Sequence, residues 1–257
     1  MSTDEKQGNV ESMTTHEWGT QPEMFGPRHE HRIRMFIREI DDLPEGSRVL
    51  DAAVGLGQLS GRIRRTGLKT FGVDASFRAA LQATRSGSAH AVVGDLTALP
   101  FHTGTFDAVT SGETLEHLDD DASALAEISR VLREGGRCVA TVPAMEILWT
   151  ASDDYYEHRR RYDRKHLSRL FEDVNLSVDL ARYWGFPFVL IYDTLFLLPM
   201  NRRRARHDVA SDPALKKVAS AGKRRWLVEI VRSVFQIDRL FGFLPFGPGL
   251  LIVARKK

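Results

Sequence analysis

The feature that most constrains this chain is a glycine-rich turn directly after a short apolar run. Residues 49–60 read V-L-D-A-A-V-G-L-G-Q-L-S, with Gly55 and Gly57 at alternate positions and helical spacing of apolar residues from Leu59 onward. This order is typical of a buried parallel strand, a tight turn and a helix whose N-terminus faces a ligand. The glycines let the backbone approach a bulky group, and the free N–H groups of the helix favour a polar or anionic group there.

Composition sets broad limits on the class of protein. The 257 residues are 42% hydrophobic and 27% charged, which suits one large domain or one domain with an insertion. A net charge of +2 does not by itself demand a nucleic-acid partner. The single cysteine, Cys138, excludes an intrachain disulfide and a thiolate metal site. We predict no metal ligands and expect a cytoplasmic location, because residues 1–20 lack the apolar segment of a secretory signal and read as a disordered tail.

Strand-like and helical segments alternate along the chain. Strands separated by helices pack side by side in parallel, so we predict an α/β fold, a doubly wound, Rossmann-like sheet of seven strands with helices on both faces. The predicted strands are 48–52, 69–73, 91–93, 106–110, 137–142, 176–183 and 250–255.

The predicted domain organisation is a core over 21–185, a helical insertion over 186–247 and a final core strand over 248–257. The insertion opens with an apolar run at 186–200, which is too short for a membrane span. A second helix is predicted over 223–241. Four arginines follow the apolar run, namely Arg202, Arg203, Arg204 and Arg206. The insertion can therefore be a peripheral membrane contact through 186–206, a lid over a greasy acceptor, a homodimer interface or a helix packed on the domain.

Three aspartates follow the first three predicted strands. Asp51 closes the first strand, Asp74 the second and Asp95 the third. Because the carboxyl ends of parallel strands meet at one edge of a sheet, we expect these residues to converge on one crevice. Asp74 follows the turn glycines at the interval expected for a carboxylate that accepts hydrogen bonds from ribose hydroxyls. Asp95 lies one strand further out, within reach of an adenine amine.

Five segments together resemble class I S-adenosylmethionine-dependent methyltransferases of the ubiquinone/menaquinone C-methyltransferase type. The first three read V-L-D-A-A-V-G-L-G, G-V-D-A-S and G-D-L-T-A-L-P-F. The other two read F-D-A-V-T-S-G-E-T-L-E-H-L and E-I-S-R-V-L-R-E-G-G. The resemblance covers about residues 28–183 and implies S-adenosyl-L-methionine as the cofactor. The implied cofactor-binding residues are Asp51, Ala53, Gly55, Gly57, Asp74, Ala75, Asp95, Leu96 and Glu113.

The resemblance also implies individual roles. The two turn glycines hold the methionine portion, Asp74 the ribose hydroxyls, Asp95 the adenine amine and the Leu96 N–H an adenine ring nitrogen. The chain departs from the family at Ala53, where glycine is usual, and at Val54, which is often cysteine. A dinucleotide site is the rival interpretation, but its third glycine is replaced here by Ser60.

Two histidines are the predicted catalytic residues. Methyl transfer from a sulfonium needs alignment of donor and acceptor, and a base helps when the acceptor is a hydroxyl or an acidic carbon. His117 lies just beyond the fourth strand and His158 in an aromatic loop after the fifth, although either can instead be structural. Glu113 borders the sulfonium side or is an exposed turn residue. The arginines of the segment 153–167 either bind an anionic acceptor or staple the loop by pairing with its own acids, which are Asp153, Asp154, Glu157 and Asp163.

The predicted function is methyl transfer from S-adenosylmethionine to an O- or C-nucleophile of a small molecule, of a lipid-linked, isoprenoid or glycan type. One alternative is an RNA methyltransferase, although S-G-E-T at 111–114 replaces the N/D-P-P-Y motif that holds a flipped base. A second alternative is a non-catalytic cofactor-binding module that docks a partner through the insertion.

Overall fold

The computed structural model describes residues 26–204 and 225–257, so the predicted disordered tail and Arg206 lie outside the described residues. Seven strands form one sheet in the order β3-β2-β1-β4-β5-β7-β6. The predicted seven-stranded, doubly wound α/β architecture is confirmed, with the insertion between the last two strands. The strands are β1 Arg48–Ala52, β2 Lys69–Asp74, β3 His90–Val93, β4 Phe106–Gly112, β5 Leu132–Pro143, β6 Leu176–Trp184 and β7 Gly249–Lys256.

The prediction of parallel strands holds for β1 to β6 and is wrong for β7, which runs antiparallel to both of its neighbours. The register explains this direction. Trp184, the last residue of β6, pairs with Gly249, the first residue of β7. The insertion therefore leaves and re-enters the sheet at the same end, and the returning strand must run in the opposite direction.

Helices cover both faces of the sheet. On one face, α4 and α6 pack apolar residues such as Leu125, Ile128 and Phe171 against the strands. On the other face, α1, α2 and α9 contribute Phe36, Ile63 and Phe235. Each of these fully buried side chains stabilises the fold by about 1.5–3 kcal/mol relative to exposure. The helices are α1 Pro27–Arg38, α2 Gln58–Arg64, α3 Phe77–Arg85, α4 Asp121–Val131, α5 Ala151–Tyr155, α6 Arg164–Asp173, α7 Phe188–Tyr192, α8 Leu198–Arg204 and α9 Arg225–Phe235.

The insertion is helical in its described parts. After α7 comes one π-helical turn, Asp193–Leu197, and α9 continues as a 3-10 helix, Gln236–Phe241. Asp238 accepts hydrogen bonds from the N–H groups of Phe188 (2.8 Å) and Val189 (3.0 Å), so its carboxylate ties the end of the insertion to the start of α7. None of the helices in 26–204 and 225–257 has the length and apolar character needed to cross a membrane.

Candidate cofactor and acceptor site

The turn after β1 adopts the left-handed backbone that its glycines permit. Gly55 and Gly57 have φ of 51° and 81°, and Ala53 has φ of 64°. Gly57 has a second reason to be glycine, because a Cβ there would lie 2.8 Å from the Cβ of Ser88. The start of α2 can therefore approach the segment after α3, and its free N–H groups lie at the edge of the sheet.

Asp74 is held by one backbone N–H of this turn and by one from the residues that follow β2. Its Oδ2 accepts the Gly55 N–H at 2.9 Å and its Oδ1 accepts the Ser76 N–H at 2.9 Å. Burial raises the pKa of this carboxyl, and the two backbone hydrogen bonds oppose that shift. Each carboxylate oxygen has two lone pairs, so each keeps one for a further donor. A pair of adjacent ribose hydroxyls supplies two donors at this spacing, and the residues present therefore fit the nucleoside part of S-adenosylmethionine.

Asp51 lies behind the turn rather than at its surface. Its carboxylate is buried and accepts hydrogen bonds from the hydroxyls of Ser60 (2.7 Å) and Thr110 (3.1 Å). Burial raises the pKa of Asp51 to about 7, against the lowering effect of these hydroxyls. The structure thus places Asp51 as a support that joins β1, β4 and α2 beneath the cofactor turn.

This buried carboxyl predicts a specific pH dependence of stability. The folded-state pKa of about 7 exceeds the unfolded value of about 3.9, so Asp51 stabilises the fold most below pH 4 and loses that contribution as pH rises to 7. Asparagine does not titrate, so we expect Asp51→Asn to remove this loss. Urea denaturation measures the unfolding free energy of both proteins. The wild-type value minus the variant value should fall by at most about 4 kcal/mol between pH 4 and pH 8. Parallel pH curves would contradict this assignment.

The predicted adenine-side residues follow β2 and β3, which are neighbouring strands. Asp95 is exposed and accepts the Thr97 N–H at 2.8 Å, which shapes the turn after β3. The Leu96 side chain is buried and Ala75 is exposed. These residues lie at the same edge of the sheet as Asp74, and their contacts with adenine stay predictions.

Glu113, at the end of β4, faces α1 and the insertion. Its backbone is left-handed (φ 56°), and its Oε2 lies 3.4 Å from both Arg28 Nη1 and Arg32 Nη1. Burial alone would raise the pKa of Glu113, but Arg32 and Arg28 outweigh it and hold that pKa below its usual range. The alternative that Glu113 is an exposed turn residue is wrong, because only 14% of its side chain is exposed.

Arg28 also joins the core to the insertion. Its Nε lies 3.2 Å from Asp193 Oδ2 in the π-helical turn. Burial raises the pKa of Asp193 to about 6, and Arg28 partly offsets that effect. The sequence analysis did not predict this ion pair. Asp193 is the one acidic residue in the apolar run 186–200, and that isolated charge could have indicated a buried basic partner. The insertion therefore closes over the strand-four side of the crevice.

The structure brings the two predicted catalytic histidines together. The ring centroids of His117 and His158 are 4.8 Å apart. His158 Nδ1 lies 2.9 Å from Asp153 Oδ1, which orients the ring. Glu116, which sequence reasoning did not select, is fully buried beside both histidines. Burial, with Glu113 nearby, raises the pKa of the Glu116 carboxyl well above its usual value.

Three arginines of the segment 153–167 are paired, but only Arg161 pairs with an acid inside the segment, as the loop-stapling alternative predicts. Arg159 lies 2.5 Å from Asp119, Arg160 lies 2.9 Å from Asp121 and Arg161 lies 2.8 Å from Asp153. The first two pairs tie the loop to the segment after β4, and the third holds the loop's own α5.

Asp153 is the centre of this loop and should be its most sensitive position. Its carboxylate contacts Arg161 and His158 and also accepts the Thr150 N–H at 2.7 Å. Asp153→Ala leaves the Arg161 charge almost buried and unpaired, so we expect a loss of about 3–5 kcal/mol in the free energy of unfolding. The exposed neighbour Asp154 is the matched control: Asp154→Ala should cost about 1 kcal/mol or less. Equal losses in chemical denaturation would refute the central role of Asp153.

Comparison with known proteins agrees with this geometry. Residues 50–140 match the family model described as a methyltransferase domain. A ubiquinone/menaquinone biosynthesis C-methyltransferase (UbiE) from Desulfotalea psychrophila is 34% identical over 137 residues, covering 50% of this chain and 56% of the relative. The chain spans about half the length of the curated relatives that it matches first.

Two solved structures share the fold. The phosphoethanolamine N-methyltransferase 2 of Haemonchus contortus, in complex with S-adenosyl-L-methionine, has a TM-score of 0.62 at 17% identity and covers 93% of this chain and 55% of its own. The [4+2]-cyclase SpnF has a TM-score of 0.62 at 19% identity, covering 89% and 81%. Sheet, domain match and relatives together support the predicted class I S-adenosylmethionine-dependent methyltransferase, with S-adenosyl-L-methionine as the cofactor.

Proposed function

We propose that this protein transfers a methyl group from S-adenosylmethionine to an O- or C-nucleophile of a small molecule. The observation that carries the proposal is the Asp74 carboxylate, which is fixed by the Gly55 N–H of the glycine turn on one oxygen and by the Ser76 N–H on the other. Asp74 ends β2 and each of its oxygens keeps one lone pair, so the carboxylate can accept the two ribose hydroxyls of a nucleoside. The cofactor, when bound, supplies an electrophilic methyl on a sulfonium; the protein's own residues bind and align it.

The acceptor would lie on the β4 side, beneath the insertion. Arg28 bridges Glu113 on the core and Asp193 on the insertion. Asn201 of α8 donates to Ser152 of α5 at 3.1 Å, so the insertion also contacts the arginine-rich loop. The insertion is thus attached to the core at two places. A site covered in this way suits a small acceptor better than a nucleic acid, which needs an open basic groove.

His158 is the better supported of the two predicted bases. Asp153 holds its Nδ1, and this arrangement fixes the ring and leaves Nε2 for the acceptor side. His117 packs edge-on against it. With an O–H acceptor, Nε2 would take the proton while the oxygen forms its bond to the methyl carbon and the carbon–sulfur bond breaks.

The insertion supports an apolar or lipid-linked acceptor. Several large apolar side chains on it are more than 40% exposed, among them Leu195, Phe196, Trp226, Ile230 and Phe243. Arg202 and Arg203, at the end of α8, are also exposed. Apolar groups beside arginines suit an anionic membrane surface. The relative that acts in quinone biosynthesis is consistent with an isoprenoid acceptor. Membrane contact and a homodimer stay predictions.

Transfer of a labelled methyl group tests the proposal. Purified chain is incubated with S-adenosylmethionine labelled on its methyl group and with cell extract separated into lipid, aqueous small-molecule and RNA fractions. We expect label in the lipid or small-molecule fraction, and none when the Asp74→Asn variant replaces the wild type. Label in RNA would support the nucleic-acid alternative. Cofactor binding without transfer to any fraction would support the non-catalytic module.

A further inference from the structure

We propose that Glu116, His117 and His158 bind a divalent transition-metal cation at the carboxyl end of β4. One potential ligand atom from each of the three lies within 4.8 Å of the others. Glu116 Oε1 is 4.0 Å from His117 Nε2 and 4.0 Å from His158 Nε2. These separations are too long for hydrogen bonds and about 0.6 Å beyond the roughly 3.4 Å between ligand atoms of a tetrahedral ion, so the side chains would move closer together around a bound ion. Two imidazoles and one carboxylate form a donor set that suits zinc and iron.

The Glu116 side chain is the independent indication of a ligand. It is fully buried, and neither carboxylate oxygen has a hydrogen-bond partner among the described residues. The other acids around it do have partners: Glu113 has two arginines, Asp121 has Arg160, and Asp153 has Arg161. A buried carboxylate without a partner is costly, and a cation between it and the histidines removes that cost.

The surroundings of His158 match those of a metal ligand. Histidines that bind metals commonly give their second nitrogen to a carboxylate, which fixes the ring and its tautomer. Asp153 Oδ1 occupies that position at 2.9 Å from Nδ1. The side chains of His117 and His158 are 23% and 11% exposed, which leaves an entry path for an ion. Three protein ligands leave a coordination position open for an oxygen of water or of the acceptor.

The chemical consequence rests on the proposed function. An acceptor hydroxyl on the cation ionises more readily, because the positive charge stabilises the alkoxide. The O–H bond breaks and its proton passes to water; the oxygen then bonds the methyl carbon as the carbon–sulfur bond breaks, with its electron pair left on sulfur. His158 would in that case act on the acceptor through the cation.

Cobalt binding tests the site directly. The full chain without an affinity tag is treated with a chelator, freed of it, and titrated with CoCl₂, whose visible absorption reports coordination. We expect one Co²⁺ per chain. Glu116→Gln and His117→Asn should each weaken its affinity at least about 100-fold, because each removes a ligand. His102→Asn, which changes an exposed histidine elsewhere on the surface, should bind as the wild type does.

Failure of the wild type to bind one Co²⁺ per chain would overturn the proposal, and so would equal binding by all variants. Circular dichroism checks the fold of each variant. If Glu116→Gln does not fold, the partly exposed His117→Asn and the wild-type titration decide. S-adenosylmethionine binding is measured on the same samples: cofactor binding without cobalt binding counts against the cation alone, and cobalt binding without cofactor binding counts against the proposed function.

Discussion

Replacing Asp74 by asparagine is expected to weaken S-adenosylmethionine binding at least about 100-fold. The carboxylate would accept two ribose hydroxyls, and a hydrogen bond to a charged group contributes about 1.5–3 kcal/mol. The amide loses the charge and turns one acceptor into a donor. That donor faces either the Gly55 or the Ser76 N–H, so the turn that positions the nucleoside is disturbed as well. Isothermal titration calorimetry measures the affinity.

The matched control is Asp179→Asn. Asp179 lies on β6 at the far edge of the sheet and pairs with Arg255. This variant should bind the cofactor with wild-type affinity. If Asp74→Asn stayed within threefold of wild type while remaining folded, the ribose role of Asp74 would be wrong.

Replacing His158 by asparagine is expected to lower kcat by about 10²–10⁴-fold, the usual contribution of a positioned acid or base. The loss is expected whether Nε2 takes the acceptor proton or holds a cation that lowers the acceptor pKa. The cofactor affinity should change little, because His158 belongs to the loop after β5 and the cofactor residues follow β1 to β3. Single-turnover kinetics with the identified acceptor separates the chemical step from binding.

His166→Asn serves as the control for this substitution. His166 lies on α6 and packs against Tyr162, outside the pair formed by His117 and His158. It should keep wild-type kcat, and both variants are compared below their melting temperatures because His158 contacts Asp153. A His158→Asn enzyme with near wild-type kcat would leave this histidine a structural role only.

The sequence predicted the sheet well because each strand is marked locally. The apolar runs 48–52 and 106–110 are each followed within three residues by a glycine, and two of the strands lie there. The direction of β7 was not predictable in this way. It depends on where the insertion returns, and that is set by the pairing of Trp184 with Gly249.

The candidate site also has a part that local sequence patterns predict and a part that they do not. The glycine turn and Asp74 are 19 residues apart at most in sequence and follow consecutive strands, so motif spacing was sufficient to place them together. The contact of Glu116 with His158 joins two loops far apart in sequence, and that of Arg28 with Asp193 joins α1 to the insertion. Such contacts follow from tertiary packing, and no local pattern reports them.

A crystal structure of this chain with S-adenosylhomocysteine tests the central claim most directly. We predict that the ribose hydroxyls lie within hydrogen-bond distance of the Asp74 carboxylate and that the adenine lies beside Asp95 and Leu96. The sulfur should point toward the β4 end, where Glu113 and the two histidines lie. A nucleoside bound elsewhere on the chain, or no binding at a saturating concentration, would contradict the account.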